Sequence, residues 1–140
     1  MNEEEFIQSI DCCFPYFDEV KWKALVVAGA EISPNSAFMV LQEICRPPRS
    51  SKATPNHLKK IAEYWFEHFE HPLASRIYEI ALHKIDGHEL SISQVLAHFE
   101  EIRKFPNQYN ALGIAYFACD DPEQEIEEPY NEIVRSWQSA

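Results

Sequence analysis

The sequence predicts an all-α protein. The chain has only three glycines among 140 residues, few runs alternate apolar with polar residues, and many windows place an apolar residue every three or four positions. Apolar residues make up 46% of the chain and aromatic residues 13%, which is typical of a packed globule. At this length we predict one domain over residues 1–140. We expect about seven to eight short helices, arranged as three helical hairpins plus terminal helices.

Proline residues mark the predicted helix starts, because the first turn of a helix needs no backbone N–H from that residue. Five of the nine prolines have such a context, namely Pro34, Pro55, Pro72, Pro106 and Pro122. Ser33, Thr54 and Asp121 each precede one of them and are good N-caps. The terminal helices are predicted from about Asn2 to Cys13 and from about Pro129 to Gln138.

Apolar stripes identify the faces that we expect in the core. The helix after Pro55 carries the stripe Leu58, Ile61, Ala62, Trp65, Phe66 and Phe69. Ser91 and Gln94 form a potential capping box before a second stripe. The helix after Pro106 is apolar on most of its circumference, which predicts a central, buried helix. Gly113 within it would permit a close helix crossing.

The apolar stripes also suggest an internal repeat. Apolar residues recur at matched distances before Pro34, Pro72 and Pro106, at Val20, Ala24, Val27; Leu58, Ala62, Trp65; and Ile92, Leu96, Phe99. The period of 34 to 38 residues that separates these prolines lies near that of helix-pair repeats. The tetratricopeptide pattern is absent. Two arrangements remain open, a short HEAT-like array and a compact helical bundle.

The charge is strongly negative and unevenly placed. A formal net charge of −11 argues against binding to nucleic acid or to anionic membranes, because phosphate contacts need clustered Lys and Arg. Acidic blocks lie near both ends of the chain, and polarity of this kind suits a protein partner with a basic surface. The candidate contact residues in them are Glu3, Glu4, Glu5, Asp120, Asp121, Glu123, Glu125, Glu127 and Glu128.

The segment Arg46 to Lys60 has the opposite charge, with five bases and no acid. Its first part, "RPPRSSKATPN", is the longest predicted loop, because Pro47 and Pro48 prevent a helix there. Loops often carry binding residues. Arg46, Arg49 and Lys52 are therefore candidates for a second kind of binding site.

The stretch "EYWFEHFEHP", residues 63–72, resembles half of a metal site but does not match the H-E-x-x-H spacing. His71 precedes Pro72, whose ring disfavours the helical conformation at His71. The helical neighbourhood that would bring the imidazoles of His68 and His71 together is therefore broken. We interpret the stretch as the joint of a helical hairpin and predict no metal, no other cofactor and no catalytic residue in the chain.

The start of the chain, "MNEEEF", has neither a basic nor an apolar signal region, and the longest apolar run, Ala24 to Ala30, is too short to span a bilayer. The four cysteines, Cys12, Cys13, Cys45 and Cys119, form no C-x-x-C pair. Together these features predict a cytoplasmic protein with free thiols.

The leading functional hypothesis is a non-enzymatic acidic protein that binds another protein, in one version an immunity or antitoxin-type inhibitor of a basic toxin. One alternative is a helical-repeat adaptor that binds a peptide through the basic segment 46–60. A second is a metal- or nucleotide-dependent enzyme. A third is a homo-oligomer in which the C-terminal stripe ending at Trp137 covers a partner subunit.

Overall fold

The computed structural model describes residues 2–11, 18–45, 54–119 and 124–139. These residues form eight α-helices and no strand, which confirms the predicted all-α class. The helices are α1 (Glu3–Asp11), α2 (Glu19–Ile32), α3 (Pro34–Cys45), α4 (Pro55–His68), α5 (Ala74–Ile85), α6 (Ile92–Ile102), α7 (Tyr109–Tyr116) and α8 (Gln124–Gln138).

The predicted start signals are correct for three helices. Pro34 and Pro55 are the first residues of α3 and α4. The Ser33 hydroxyl accepts a hydrogen bond from the Ser36 N–H at 3.1 Å. The Thr54 hydroxyl accepts one from the His57 N–H at 3.2 Å. Ahead of α6, Ser91 and Gln94 form the full capping box. These side chains satisfy N–H groups that have no partner within their helices.

The predicted starts at Pro72 and Pro106 are wrong. Pro72 lies in a turn closed by a hydrogen bond of 2.9 Å from the Ala74 N–H to the His71 carbonyl, and α5 begins at Ala74. After Pro106, Asn107 has a φ of 69°, in the left-handed region that a right-handed helix excludes, so α7 begins only at Tyr109. Pro122 and Asp121 lie outside the described residues.

The predicted start of the last helix at Pro129 is also wrong, because α8 begins at Gln124 and contains Pro129. The apolar stripe of α8 contains three buried residues, Ile126, Ile133 and Trp137. Ile126 precedes Pro129, so the stripe begins before the proline. The burial of Ile126 favours the helical turn before Pro129 although the proline removes one N–H from the ladder. The stripe packs on the chain's own α6 and α7, so it does not cover a partner subunit as one hypothesis required.

The helices pack as a compact bundle. The predicted hairpins are present, since α2 packs on α3, α4 on α5 and α6 on α7. In addition α3 packs closely against α7, which joins the first hairpin to the third. In an open solenoid each repeat contacts only its neighbours, so this contact distinguishes the bundle from the HEAT-like array. Helix α1 lies on α2 and α3, and α8 lies on α6 and α7.

The predicted apolar repeat does not hold for α2. Val20 is 78% exposed, and Ala24 and Val27 are also exposed, whereas their counterparts in α4 are buried or half-buried. Helix α2 is apolar around most of its circumference and instead buries Trp22 and Leu25. A stripe chosen by spacing alone is ambiguous in such a helix, because its neighbours α1, α3 and α4 decide which side is covered.

The centre of the molecule is aromatic. Trp65 of α4 is fully buried, and its indole N–H donates a hydrogen bond of 2.8 Å to the carbonyl of Ala37 in α3. Its ring lies 5.8 Å from that of Phe38 and 5.2 Å from that of Phe69, measured between centroids. The segment of α7 from residue 111 to 115 is buried throughout, as its apolar circumference predicted.

None of the helices in the described ranges combines the length and the apolar character that a membrane span requires.

Candidate functional site

The acidic candidate residues that the structure describes lie on the surface. Glu3, Glu4 and Glu5 occupy the first turn of α1 and are exposed. Glu125, Glu127 and Glu128 are exposed in the first two turns of α8. Carboxylates near the N-terminal end of a helix are stabilised by the partial positive charge of the unpaired N–H groups there.

The two acidic groups occupy different parts of the bundle. Helix α1 rests on the first hairpin, and α8 rests on the third. The remaining predicted contact residues lie outside the described residues; they are Asp120, Asp121 and Glu123 before α8, and Arg46, Arg49 and Lys52 in the basic loop.

The two histidines of "EYWFEHFEHP" have separate environments. Helix α4 ends at His68, and Phe69 already has an extended backbone. The imidazole of His68 stacks on Tyr64 at 3.9 Å between centroids, and its Nδ1–H donates to the Tyr64 carbonyl at 2.8 Å. His71 lies beyond the helix end and is half-buried. The helix therefore ends before His71, as the interpretation of this stretch as a hairpin joint requires.

His71 fills an aromatic box between two inter-helix connections. Its ring lies 5.4 Å from Phe38, 5.7 Å from Phe69 and 5.3 Å from Phe105, measured between centroids. Its Nδ1 accepts a hydrogen bond of 3.0 Å from the Leu73 N–H, which places the proton of the neutral ring on Nε2. Burial lowers the pKa of His71 below its usual 6.5, because the aromatic surroundings disfavour the imidazolium.

The lowered pKa of His71 predicts a loss of stability in mild acid. Below pH 6.5 the unfolded chain binds a proton at this residue more readily than the folded chain, so the free energy of unfolding falls as the pH decreases through that value. We expect His71→Asn to reduce this dependence, because the Asn amide oxygen can accept the Leu73 N–H but does not titrate. The measurement is urea unfolding at about pH 7.5 and about pH 5.5.

The matched control for this experiment is His57→Asn, at an exposed position in the first turn of α4. For each protein we compare the free energy of unfolding at the two pH values, and the comparison between proteins then cancels every contribution that the native chain and both variants share. An equal pH dependence in the native chain and in His71→Asn would contradict the prediction.

A small cleft between α5 and α6 collects further polar groups. Its volume is about 290 Å³, and its lining residues are Glu79, Ile80, His83, Leu90, Gln94, Ala97 and His98. This volume lies at the lower limit of ligand-binding clefts, roughly 300 Å³.

His98 is the best-defined polar group of the cleft. The Arg76 guanidinium donates a hydrogen bond of 3.0 Å to its Nδ1, so the neutral ring carries its proton on Nε2. Burial lowers the pKa of His98, Arg76 and His83 lower it further, and the carboxylate of Glu79 acts in the opposite direction. His98 can donate one hydrogen bond to a ligand, but its Nδ1 is already occupied.

In the described ranges, no group of three or more His, Cys, Asp or Glu side chains is arranged to hold a metal ion. Cys45 is buried, its S–H faces the Ala81 carbonyl at 4.0 Å, and burial raises the pKa of the thiol to about 12. A thiol with this pKa is not a nucleophile near neutral pH. Cys12 and Cys13 lie outside the described residues.

The spacing of apolar residues in α4 predicts that Phe66 faces the core, and this prediction is wrong. Phe66 belongs to the apolar stripe of α4 in the sequence, yet it is 39% exposed. Its ring stacks on Tyr78 of α5 at 4.6 Å between centroids. Phe66 stands beside Glu67 and one turn after Glu63, and this mixture of an aromatic residue with acids is the signal that was missed.

The fold and these surfaces define a compact, acidic all-α protein. Comparison of the chain with protein-family models, with curated proteins and with solved structures gives no match. Any functional assignment therefore rests on the chain's own residues.

Proposed function

We propose that this chain is a non-enzymatic acidic protein that binds another protein through a basic surface of that partner. In its most concrete version the chain is an immunity-type inhibitor that covers the positively charged active site of a basic toxin. The observation that carries the proposal is the excess of acids, 23 Asp and Glu against 12 Lys and Arg, together with the exposure of the acidic groups on α1 and α8.

The ion pairs of the protein support this view, because they hold bases on the chain's own acids. Lys23 pairs with Glu19 at 3.2 Å, and Lys59 pairs with Asp86 across α4 and α5 at 2.5 Å. Arg103 and Lys104 pair with Glu100 and Glu101, each at 3.2 Å. Each pair removes one base and one acid, so the excess of negative charge stays on the surface. Such a field raises the rate of association with a positive partner.

The direct test is a pull-down from the native host at low salt, followed by elution with salt. We expect a basic protein to be recovered, encoded in the toxin version next to the gene for this chain. Recovery of no basic protein, with no toxin gene adjacent, would contradict the proposal.

Two charge variants then test the acidic groups against the purified partner. We expect a triple change of Glu3, Glu4 and Glu5 to Gln to lower kon about ten-fold at low salt, because it removes part of the steering field. The control changes Glu19, Glu100 and Glu101 to Gln, which alters the net charge equally but takes carboxylates that already neutralise bases. Equal effects would show that only the total charge matters.

A further inference from the structure

A stacked pair of aromatic rings joins α4 and α5, and of the two residues Phe66 is exposed and Tyr78 is half-buried. The rings of Phe66 and Tyr78 are nearly parallel, with an angle of 19° between their planes. On α4, Glu63 lies one turn before Phe66 and Glu67 directly follows it. After burial, these two carboxylates are the causes that raise the pKa of Tyr78. We call these four residues the aromatic–acidic patch.

The patch combines two attractions for a cation. The face of an aromatic ring carries partial negative charge and attracts a guanidinium that stacks on it. A neighbouring carboxylate can accept two parallel hydrogen bonds from the same guanidinium. Tyr78 covers one face of Phe66, and the exposed remainder of the Phe66 ring is available on the surface. Arginine satisfies both attractions better than lysine, because its charged group is planar.

Neither Glu63 nor Glu67 belongs to an ion pair among the described residues. Lys59, on the same helix, is held by Asp86 at 2.5 Å. Lys60 stands one turn before Glu63, but Glu67 lies two turns beyond it. Glu67 is therefore the carboxylate on which a single substitution reports most directly.

We propose that the aromatic–acidic patch is the surface on which an arginine-bearing segment of a basic protein partner docks. This inference rests on the proposed function and adds to it a position and a preferred residue. Interfaces concentrate their binding energy on a few aromatic and arginine residues surrounded by polar contacts, and the patch supplies the aromatic half of such a centre. The acidic groups of α1 and α8 then act at longer range.

The test uses the full chain and two defined probes, nona-arginine and nona-lysine peptides, at about 50 mM salt. Titration of the isotope-labelled protein is followed by NMR at the backbone amides and at the ring protons of Phe66 and Tyr78. We expect shifts centred on the patch and tighter binding of the arginine peptide than of the lysine peptide.

Two pairs of variants distinguish peptide binding at the patch from binding that depends only on the net charge of the protein. We expect Phe66→Leu to weaken binding of the arginine peptide about two-fold to five-fold, because it removes the ring but keeps an apolar side chain. Phe117→Leu, at another exposed aromatic residue, should leave binding unchanged. Glu67→Gln should weaken binding more than Glu132→Gln, an equal charge change on α8. Circular dichroism verifies that each variant is folded.

Equal effects of the members of either pair, or shifts centred on α1 and α8, would overturn the patch while leaving the proposed function intact. Absence of binding by the arginine peptide would also overturn the patch. The proposed function fails separately, when the host pull-down recovers no basic partner.

Discussion

Trp65→Ala is expected to destabilise the protein by about 3–5 kcal/mol, the usual cost of truncating a large buried aromatic residue. Trp65 is fully buried, contacts Phe38 and Phe69, and donates its indole N–H to the Ala37 carbonyl at 2.8 Å. The substitution leaves a cavity between α3 and α4 and removes that hydrogen bond. A loss of this size is a large part of the total stability of a typical domain, about 5–15 kcal/mol. Urea unfolding followed by far-ultraviolet circular dichroism measures it.

Two controls divide this effect into its parts. Trp65→Phe keeps most of the ring contacts and loses the hydrogen bond, so we expect a smaller loss of about 1–2 kcal/mol. Phe66→Ala changes the next residue, which is partly exposed, and should cost about 1 kcal/mol. Equal losses for Trp65→Ala and Phe66→Ala would contradict the burial difference between these neighbours.

The contrast between Trp65 and Phe66 shows what sequence could and could not predict about the core. Both residues belong to one apolar stripe of α4, and the stripe is wide enough that its edge reaches solvent. Spacing locates the centre of a buried face well, but its edge depends on where the neighbouring helix lies. For α4 that neighbour is α5, whose Tyr78 covers one face of Phe66 and leaves the rest exposed.

Local chemistry was the most reliable guide to helix boundaries. Thr54 and the Ser91 capping box were predictable because a cap needs only residues within one turn. The helix starts predicted at Pro72 and Pro106 were wrong because proline also suits turns. Here both prolines lie in the turns before α5 and α7. The contact of α3 with α7, which makes the bundle compact, joins segments distant in sequence and left no periodic signal.

The sequence predicted the negative charge of the candidate binding surface, but it did not predict where on the fold that surface lies. The basic partner that the composition suggested stays a prediction, and the structure places Glu3, Glu4 and Glu5 on the surface as expected of charged residues. The aromatic–acidic patch was not predictable, because it needs Tyr78 from α5 beside Phe66 from α4. Which surface residues of two helices become neighbours is decided by how the helices pack, and sequence spacing within one helix does not contain that information.

Gly29 and Gly113 provide the second large expected effect, because the same substitution should have different outcomes at the two positions. Both glycines are buried within helices, so replacement by Ala gains about 1 kcal/mol of helix propensity in each case. At Gly29 the added Cβ would lie 3.1 Å from the ring of Phe6 and 3.1 Å from the Ser36 backbone carbonyl. The carbonyl belongs to the first turn of α3 and cannot rotate away, so overpacking of about 1–3 kcal/mol outweighs the gain.

At Gly113 the added Cβ would lie 2.9 Å from the amide nitrogen of Gln42, the flexible end of a half-buried side chain. Gln42 can move aside by rotating its side-chain torsions, so the helix propensity gain prevails. We therefore expect Gly29→Ala to lower the unfolding free energy by up to about 2 kcal/mol and Gly113→Ala to leave it unchanged or raise it by up to about 1 kcal/mol. Urea unfolding of both variants measures the difference. A larger loss of unfolding free energy for Gly113→Ala than for Gly29→Ala would contradict the close approach of α2 to α3 at Gly29. The sequence did not indicate that approach, because its pattern pointed to a close helix crossing only at Gly113.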